Sequence, residues 1–357
     1  MKDKECIQWL KKENVLPLAQ NHYKSMAKVF KECLGINKEE KLLIIGDTGL
    51  KGNNLSAALS ACYYLYAKEK GYKVSFVMQE SKTRGDEADE DVVNGLIDHP
   101  PYNIVITNLS DRLGTIGKKR SFRKFCREKF FKFVSTTSLG YIPTEYITQM
   151  MQMFSIDYRS LRRRQNKLKL YFDNADEVVV KTEKGTNIKM DIRGVDAISA
   201  DGDFRAYGRG GNLPAGEVYL APVENKVNGK FIIDASSRNR FKTELVREPV
   251  VVRVKKGSIT KIEGAVEADL LKQSLKWAAE KAKYPIRVKK IAELGIGMNK
   301  HAKVIGTTII DEKAFGTAHI GIGSNYWFGG TIRTIIHLDQ VFRAPEIYVD
   351  GKLLKVP

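Results

Sequence analysis

Two side chains that could bind a metal ion or transfer a proton lie close together near the C-terminus of this 357-residue chain. The run TIIHLDQ, residues 334–340, places His337 two positions before Asp339 in an otherwise apolar segment. In a β-strand, residues i and i+2 point to the same face, so we expect the imidazole and the carboxylate side by side. Such a pair needs a partner, because an unpaired buried charge is costly.

Further acidic and histidine side chains recur beside three other apolar runs of the second half. They are Glu217 in GRGGNLPAGEVYLAP, Glu293 in KIAELGIGMN, and Glu312 with His319 in DEKAFGTAHIGIG. Two interpretations of the whole set are open. The residues could form an ordinary polar network in a core, or they could ligate a divalent metal, for which imidazole and carboxylate are standard donors.

The first half of the chain alternates short apolar runs with helix-like segments. The strand-like runs are KLLIIGD (41–47), YKVSFVMQ (72–79), PYNIVITNLS (101–110) and KFVSTTS (132–138), and the clearest helical segment is 53–71. This order predicts an open α/β sheet with helices on its faces. A long helical stretch, 144–175, then leads out of this half.

The second half has a different character. EVVVKTEKGTNIKMDIRG, residues 177–194, predicts a hairpin with Lys184-Gly185 at its turn, and further β-type segments with Gly turns follow. We therefore predict two domains. Residues 1–160 form an α/β N-terminal domain, and residues 161–357 form a β-rich α+β C-terminal domain that carries the metal-binding residues.

The net charge of +18 is concentrated in two segments. Residues 112–132 contain nine Lys or Arg against one Glu, and residues 159–169 contain six and no acid. In the first segment four phenylalanines recur at near-helical spacing, which predicts an amphipathic helix with a solvated basic face. They are Phe122, Phe125, Phe130 and Phe133. No nucleic-acid-binding signature accompanies the charge, so we do not expect nucleic acid as a partner.

Other features bear on the location of the protein. No apolar run reaches the roughly 18 residues that a membrane helix needs, and the N-terminal residues do not resemble a signal peptide. The four cysteines have no metal-like spacing. We expect a cytoplasmic protein without a membrane partner.

The acidic and histidine runs, taken in order, resemble those of the thermophilic-type metallo-aminopeptidases, the aminopeptidase T family. The likeness extends over about residues 180–342. It begins with the hairpin sequence GTNIKMDIRG and is carried by Asn212-Leu213-Pro214-Ala215-Gly216-Glu217-Val218, Glu293 in AELGIGMN, Glu312, Ala318-His319-Ile320-Gly321-Ile322-Gly323, and His337-x-Asp339.

The resemblance implies a metal-dependent aminopeptidase that removes N-terminal residues from peptides by a water activated between two divalent ions, Zn, Co or Mn. The implied metal ligands are Glu217, Glu293, Glu312, His319, His337 and Asp339. Glu293 would also bridge the metals or accept the proton of the water, and Tyr326 would donate a hydrogen bond to the tetrahedral oxyanion. A homodimer is implied as well.

A second interpretation comes from the same superfamily, which includes ring-cleaving dioxygenases of the dihydroxypyridine type with one Fe(II). Two histidines and one carboxylate form the facial triad of such iron sites, and His319, His337 and Asp339 would supply it. The three glutamates favour two metals, although Glu312 lies two residues further from His319 than in the usual aminopeptidase pattern. A third interpretation is a basic nucleic-acid-binding protein with a degenerate enzyme fold, against which the full set of costly polar residues argues.

Overall fold

The computed structural model describes residues 1–50, 52–83, 85–117 and 121–355. The chain divides into two compact units. One unit comprises residues 1–159 and 202–215, and the other comprises residues 160–201 and 216–357. The boundary at residue 160 as a limit between folding domains stays a prediction. None of the helices in the described ranges is long and apolar enough to span a membrane.

The helices follow one another along the chain with short 3-10 and π turns between some of them. They are α1 (Lys4–Lys12), α2 (Leu16–His22), α3 (Leu55–Glu69), α4 (Glu90–Asp98), α5 (Phe122–Glu128), α6 (Ile147–Phe154), α7 (Tyr158–Asp173), α8 (Val266–Lys281) and α9 (Thr308–Asp311).

The strands are more numerous in the second half of the chain. They are β1 (Lys41–Asp47), β2 (Lys73–Gln79), β3 (Ile104–Asn108), β4 (Lys132–Thr136), β5 (Glu177–Lys181), β6 (Asn187–Asp191), β7 (Ile198–Ala200), β8 (Gly210–Asn212), β9 (Glu217–Leu220), β10 (Val227–Ile233), β11 (Ser236–Arg238), β12 (Thr243–Leu245), β13 (Val250–Lys255), β14 (Ser258–Glu263), β15 (Ile291–Gly297), β16 (Thr317–Gly323), β17 (His337–Arg343), β18 (Glu346–Val349) and β19 (Lys352–Leu354).

The first unit contains a parallel sheet with the strand order β2-β1-β3-β4-β8. The inner strands β3 and β4 are buried at every position, as expected of strands covered on both faces. The prediction of an α/β part is confirmed, and the structure shows that its sheet is parallel.

The fifth strand of that sheet comes from the segment 202–215, which the sequence assigned to the second domain. In it, β8 pairs in parallel with β4. Gly210 permits this close approach, because a Cβ at that position would lie 2.2 Å from the carbonyl oxygen of Phe133. A three-residue strand of glycines and Asn212 gives no apolar periodicity, so sequence patterns do not reveal it.

The second unit contains two antiparallel sheets of seven strands each. Their orders are β14-β13-β10-β6-β5-β18-β19 and β12-β11-β17-β16-β15-β9-β7. The predicted hairpin is β5–β6, and Gly185 at its turn has a φ of 101°, which a glycine adopts without strain. The prediction of a β-rich part is confirmed, and the second of these sheets carries the candidate site.

Two helical predictions need correction. The stretch 144–175 is not one helix, because α6 ends at Phe154 and α7 begins at Tyr158. The amphipathic helix expected within 112–132 is shorter than its phenylalanine spacing suggested, since α5 ends at Glu128 and Phe130 has a φ of 56°. The chain turns there into β4, whose hydrogen bonding outweighs the helical period. Residues 118–120 of this segment lie outside the described residues.

Candidate metal centre

Three neighbouring antiparallel strands bring three of the predicted ligands to one face of the second sheet. Glu293 on β15 is opposite Gly321 on β16, and Gly321 is opposite Asp339 on β17. His319 lies two residues before Gly321 and therefore shares its face, opposite Gly295. The alternate residues of these strands are buried on the other face, and all except Gln340 are apolar.

The remaining two strand-borne ligands stand at the beginnings of their strands. His337 is the first residue of β17 and is opposite Gly323, whereas Glu217 is the first residue of β9 and is opposite Gly297. Residues far apart in the sequence are thus aligned by strand register alone.

Glu293 lies at the centre of this cluster. Its Oε1 is 3.2 Å from His319 Nε2, and its Oε2 is 3.2 Å from His337 Nε2. His337 Nε2 is also 3.0 Å from Asp339 Oδ1, and His319 Nε2 is 3.8 Å from Glu217 Oε2. Two carboxylates and two imidazoles therefore surround Glu293 in an interior where charges are costly unless paired.

Two glycines make room for the imidazole rings. A Cβ on Gly295 would lie 2.1 Å from His319 Cε1, and one on Gly321 would lie 2.9 Å from His337 Cε1. Neither glycine has a positive φ, so their role is close approach rather than backbone conformation. In the sequence, Gly295 and Gly321 mark the face of β15 and β16 that carries the candidate ligands.

The hydrogen bonds of the cluster leave donor atoms available. His337 Nδ1 is 2.7 Å from the Ser324 carbonyl oxygen, so Nε2 is the ring nitrogen that faces the carboxylates of the cluster. Asp339 Oδ1 and His319 Nδ1 are buried, and neither has a well-aligned hydrogen-bond partner among the described residues. Asp339 Oδ1 is close to His337 Nε2, yet the two atoms are not in hydrogen-bond alignment. The atoms of His337 and Asp339 converge with Glu293 and could coordinate a common ion.

The pKa values of the cluster reflect two opposing effects, which are burial and the contacts between carboxylates and imidazoles. Burial acts to lower the pKa of His319, but the hydrogen bond and charge of Glu293 raise it to about 9. Burial also acts to lower the pKa of His337, and Asp339 raises it well above its ordinary value. Burial acts to raise the pKa of Glu293 and Asp339, and the histidines bring both below their usual range. A metal bound here must therefore displace protons from the histidines.

A residue that sequence analysis missed lies beside these groups. Lys313 is 0% exposed, and its Nζ lies 3.0 Å from Glu217 Oε1 and donates a second hydrogen bond to Glu312 Oε1. Burial acts to lower the pKa of Lys313, and the two glutamates raise it above its ordinary value. Burial raises the pKa of Glu312 to about 8 against the opposing charge of Lys313. In the sequence, Lys313 is marked only by its position between a short helix and an apolar strand.

The donor set fits a metal ion. Among the described residues, two groups of three offer ligand atoms within 4.8 Å of one another. They are Glu217 with Glu293 and His319, and Glu293 with His337 and Asp339. Glu312 belongs to neither group and faces Lys313 instead. The sheet thus brings five of the six predicted ligands close together, and their binding of a metal stays a prediction.

Aromatic residues border the cluster on one side. Trp327 is 53% exposed, and its ring centroid lies 5.2 Å from that of His337. The predicted catalytic residue Tyr326 is next to it and is also half exposed, with the Arg333 guanidinium 4.6 Å from its ring centroid. Tyr326 lines a groove of about 550 Å³ together with Tyr284 and Arg333. Its contact with a substrate stays a prediction.

The comparisons with known proteins identify the family and correct the expected activity. The family model described as NicX, 2,5-dihydroxypyridine 5,6-dioxygenase, matches residues 141–355. A curated protein, the 2,5-dihydroxypyridine 5,6-dioxygenase of Pseudomonas putida, is 24% identical over 235 residues, which are 63% of this chain and 64% of that protein. The chain therefore matches less than two thirds of the length of this relative.

Two solved structures share the fold. The structure of 2,5-dihydroxypyridine dioxygenase from Pseudomonas putida has a TM-score of 0.71 at 18% identity, and the match covers 94% of this chain and 95% of that one. Wild-type AmpT from Thermus thermophilus has a TM-score of 0.64 at 13% identity, and the match covers 94% of this chain and 97% of that one. At these identities the likeness concerns the fold alone.

The expectation of a metallo-aminopeptidase, a hydrolase acting on peptides, is therefore wrong. The residues quoted for it are present, but the family match and the curated relative both name a dioxygenase. AmpT accounts for the resemblance through a shared fold. By the family match, which spans more than half of its length, the chain belongs to the 2,5-dihydroxypyridine 5,6-dioxygenase family.

Proposed function

We propose that this protein is an Fe(II)-dependent dioxygenase that opens the ring of a dihydroxylated pyridine, with 2,5-dihydroxypyridine as the first candidate. The single observation that carries the proposal is the family match over residues 141–355, a range that contains all the candidate ligands. Dioxygenation at positions 5 and 6 would break the bond between those ring carbons and place both atoms of O2 in the product.

The residues proposed to hold the iron are His319, His337 and Asp339. Two imidazoles and one carboxylate on adjacent strands are the donor set of non-haem Fe(II) oxygenases, in which open positions remain for other ligands. When bound, Fe(II) supplies the one-electron chemistry that allows O2 to react with an aromatic ring. The position of His337 Nε2 beside Asp339 Oδ1, with Nδ1 held by the Ser324 carbonyl, supports this assignment.

The protein groups around the donors have separate tasks. The Ser324 carbonyl orients the His337 ring through Nδ1 and keeps Nε2 directed at the cluster. The Glu293 carboxylate has a lowered pKa and faces both imidazoles. It therefore places a proton acceptor beside a hydroxyl group that binds there.

Trp327 is the proposed contact for the ring of the substrate. Its indole is half exposed and lies beside His337, so one aromatic surface adjoins the donor cluster. A planar heteroaromatic ring can stack on an indole or pack against its edge. The homodimer implied by the earlier resemblance stays a prediction.

The test is oxygen consumption by the iron-loaded protein. Protein freed of metal is loaded anaerobically with Fe(II) and mixed with 2,5-dihydroxypyridine and O2. We expect uptake of one O2 for each molecule of substrate, with loss of its aromatic absorbance. Protein loaded with Zn(II), which has no redox chemistry, is the control and is expected to consume no O2. Absence of O2 uptake by protein shown to contain iron would contradict the proposal.

A further inference from the structure

We infer that the ammonium group of Lys313 acts as an internal cation that takes the place of a second metal ion and limits this site to one. The inference rests on the proposed function only in taking the His319, His337 and Asp339 end of the cluster as the metal-binding end. It goes further, because it assigns a role to a residue that the proposed function does not use.

The first observation is the position of the ammonium group. Lys313 Nζ lies 3.0 Å from Glu217 Oε1 and hydrogen-bonds to Glu312 Oε1, while the lysine side chain is only 1% exposed. A lysine ammonium donates three hydrogen bonds and has no lone pair, so it cannot itself be a metal ligand. It therefore occupies two carboxylate oxygens that could otherwise bind a cation.

The second observation is the way in which Glu217 is shared. Its Oε1 faces Lys313, whereas its Oε2 lies 3.8 Å from His319 Nε2 on the metal-binding side. One carboxylate thus separates the ammonium from the proposed metal position. Two positive centres joined through one carboxylate resemble the arrangement of a bridged metal pair, with one of the two centres supplied by the chain.

Charge explains why the two cations exclude each other. A second divalent ion at Glu217 and Glu312 would lie against the ammonium in an interior where like charges repel far more strongly than in water. The position of Lys313 is also fixed by its backbone. Its carbonyl accepts from Asn299 N at 2.8 Å, and its N–H donates to the Ile310 carbonyl at 3.0 Å.

Removal of the ammonium is therefore expected to create a second metal site. Lys313→Met keeps the approximate length of the side chain and removes its charge, which leaves Glu217 and Glu312 free to bind a cation. The probe is Mn(II), added in excess to metal-free protein. Bound Mn(II) is measured by equilibrium dialysis, and electron paramagnetic resonance distinguishes isolated ions from coupled pairs.

We expect about one Mn(II) per chain in the wild type and about two in Lys313→Met, with a coupled signal in the variant alone. Lys303→Met, which removes a charge from an exposed lysine ten residues away, is the matched control and should bind one. The double variant Glu312→Gln, Lys313→Met removes the carboxylate along with the ammonium and should also bind one.

Two Mn(II) in the wild type, or one in a folded Lys313→Met variant, would overturn the inference. Two in the double variant would show that the second ion does not use Glu312, which would overturn it as well. If Lys313→Met does not fold, Lys313→Gln, which also removes the charge, takes its place with the same expected values. A wild type that binds one Mn(II) but whose Fe(II) form consumes no O2 would contradict the proposed function and leave this inference standing.

Discussion

His337 and Asp339 lie on one face of β17, with 3.0 Å between His337 Nε2 and Asp339 Oδ1 and no hydrogen bond between them. The other nitrogen of His337 is held by the Ser324 carbonyl. Nε2 and Oδ1 therefore point toward the same region and raise or lower each other's pKa there. A strand that carries His-x-Asp in an apolar run can in this way present two donors to one ion.

The first prediction concerns His337 as a ligand. His337→Ala should weaken metal binding by more than about 100-fold, because loss of residues that only support a ligand already costs 10- to 100-fold. The fold should survive, since the β17 backbone pairing remains. Metal content after dialysis and circular dichroism are the measurements. His301→Ala, which changes an exposed histidine, is the control. Full metal content in His337→Ala would show that the assignment is wrong.

The second prediction concerns the space left by Gly295. In Gly295→Ala, the new methyl group would meet His319 Cε1 at 2.1 Å and Nε2 at 2.2 Å, so the ring must move. We expect metal affinity to fall by at least about tenfold, measured by competition with a chromogenic chelator. Gly95→Ala on α4 is the control, because its nearest contact would be an ordinary 3.7 Å from Val77 Cγ2. Equal affinities in the two variants would contradict the prediction.

The third prediction concerns pH and the metal-free protein. The pKa of His319 is raised from 6.5 to about 9 in the folded state. A raised pKa contributes stability that is complete below about 6.5 and is lost as the pH rises through about 9. The free energy of unfolding of chelator-treated protein should therefore fall between pH 6.5 and 9. Urea unfolding at several pH values measures it, and His319→Gln should show a shallower fall. An identical slope in wild type and variant would rule out this contribution.

The fourth prediction concerns Trp327 as the ring contact. Trp327→Ala should keep its metal and raise KM for 2,5-dihydroxypyridine about threefold to tenfold, the range that corresponds to roughly 0.5–1.5 kcal/mol for an aromatic pair. Trp327→Phe should lie between that variant and the wild type. Initial rates of O2 uptake at varied substrate concentration provide the measurement. An unchanged KM in Trp327→Ala would place the substrate ring elsewhere.

Local sequence patterns were sufficient for much of the fold. The run KLLIIGD corresponds to β1 in full, and the hairpin with Lys184-Gly185 at its turn is β5–β6. Period-two alternation also placed His337 and Asp339 on one face, since that relationship needs only a strand and no knowledge of its neighbours. The same residues reduced the candidate activities to metal-dependent enzymes. They did not distinguish a peptidase from a dioxygenase.

Tertiary structure decided how the separate runs meet. Glu217 and His319 are 102 positions apart, and only the register of β9, β15 and β16 sets Glu217 Oε2 3.8 Å from His319 Nε2. Register depends on pairing between strands, which no single strand encodes by itself. The same holds for β8, which pairs with β4 in the first sheet. The three residues of β8 have no pattern that predicts this pairing.

Lys313 shows most clearly what could not be predicted from the sequence. In the sequence it is a lysine beside a glutamate, and such a pair is usually exposed to solvent. Only the folded chain surrounds it with Glu217 and Glu312 and removes it from water. The sequence by itself therefore determined which residues were able to bind a metal. The tertiary structure decided which of them converge and which face an ammonium group, because burial and charge pairing depend on contacts between distant segments.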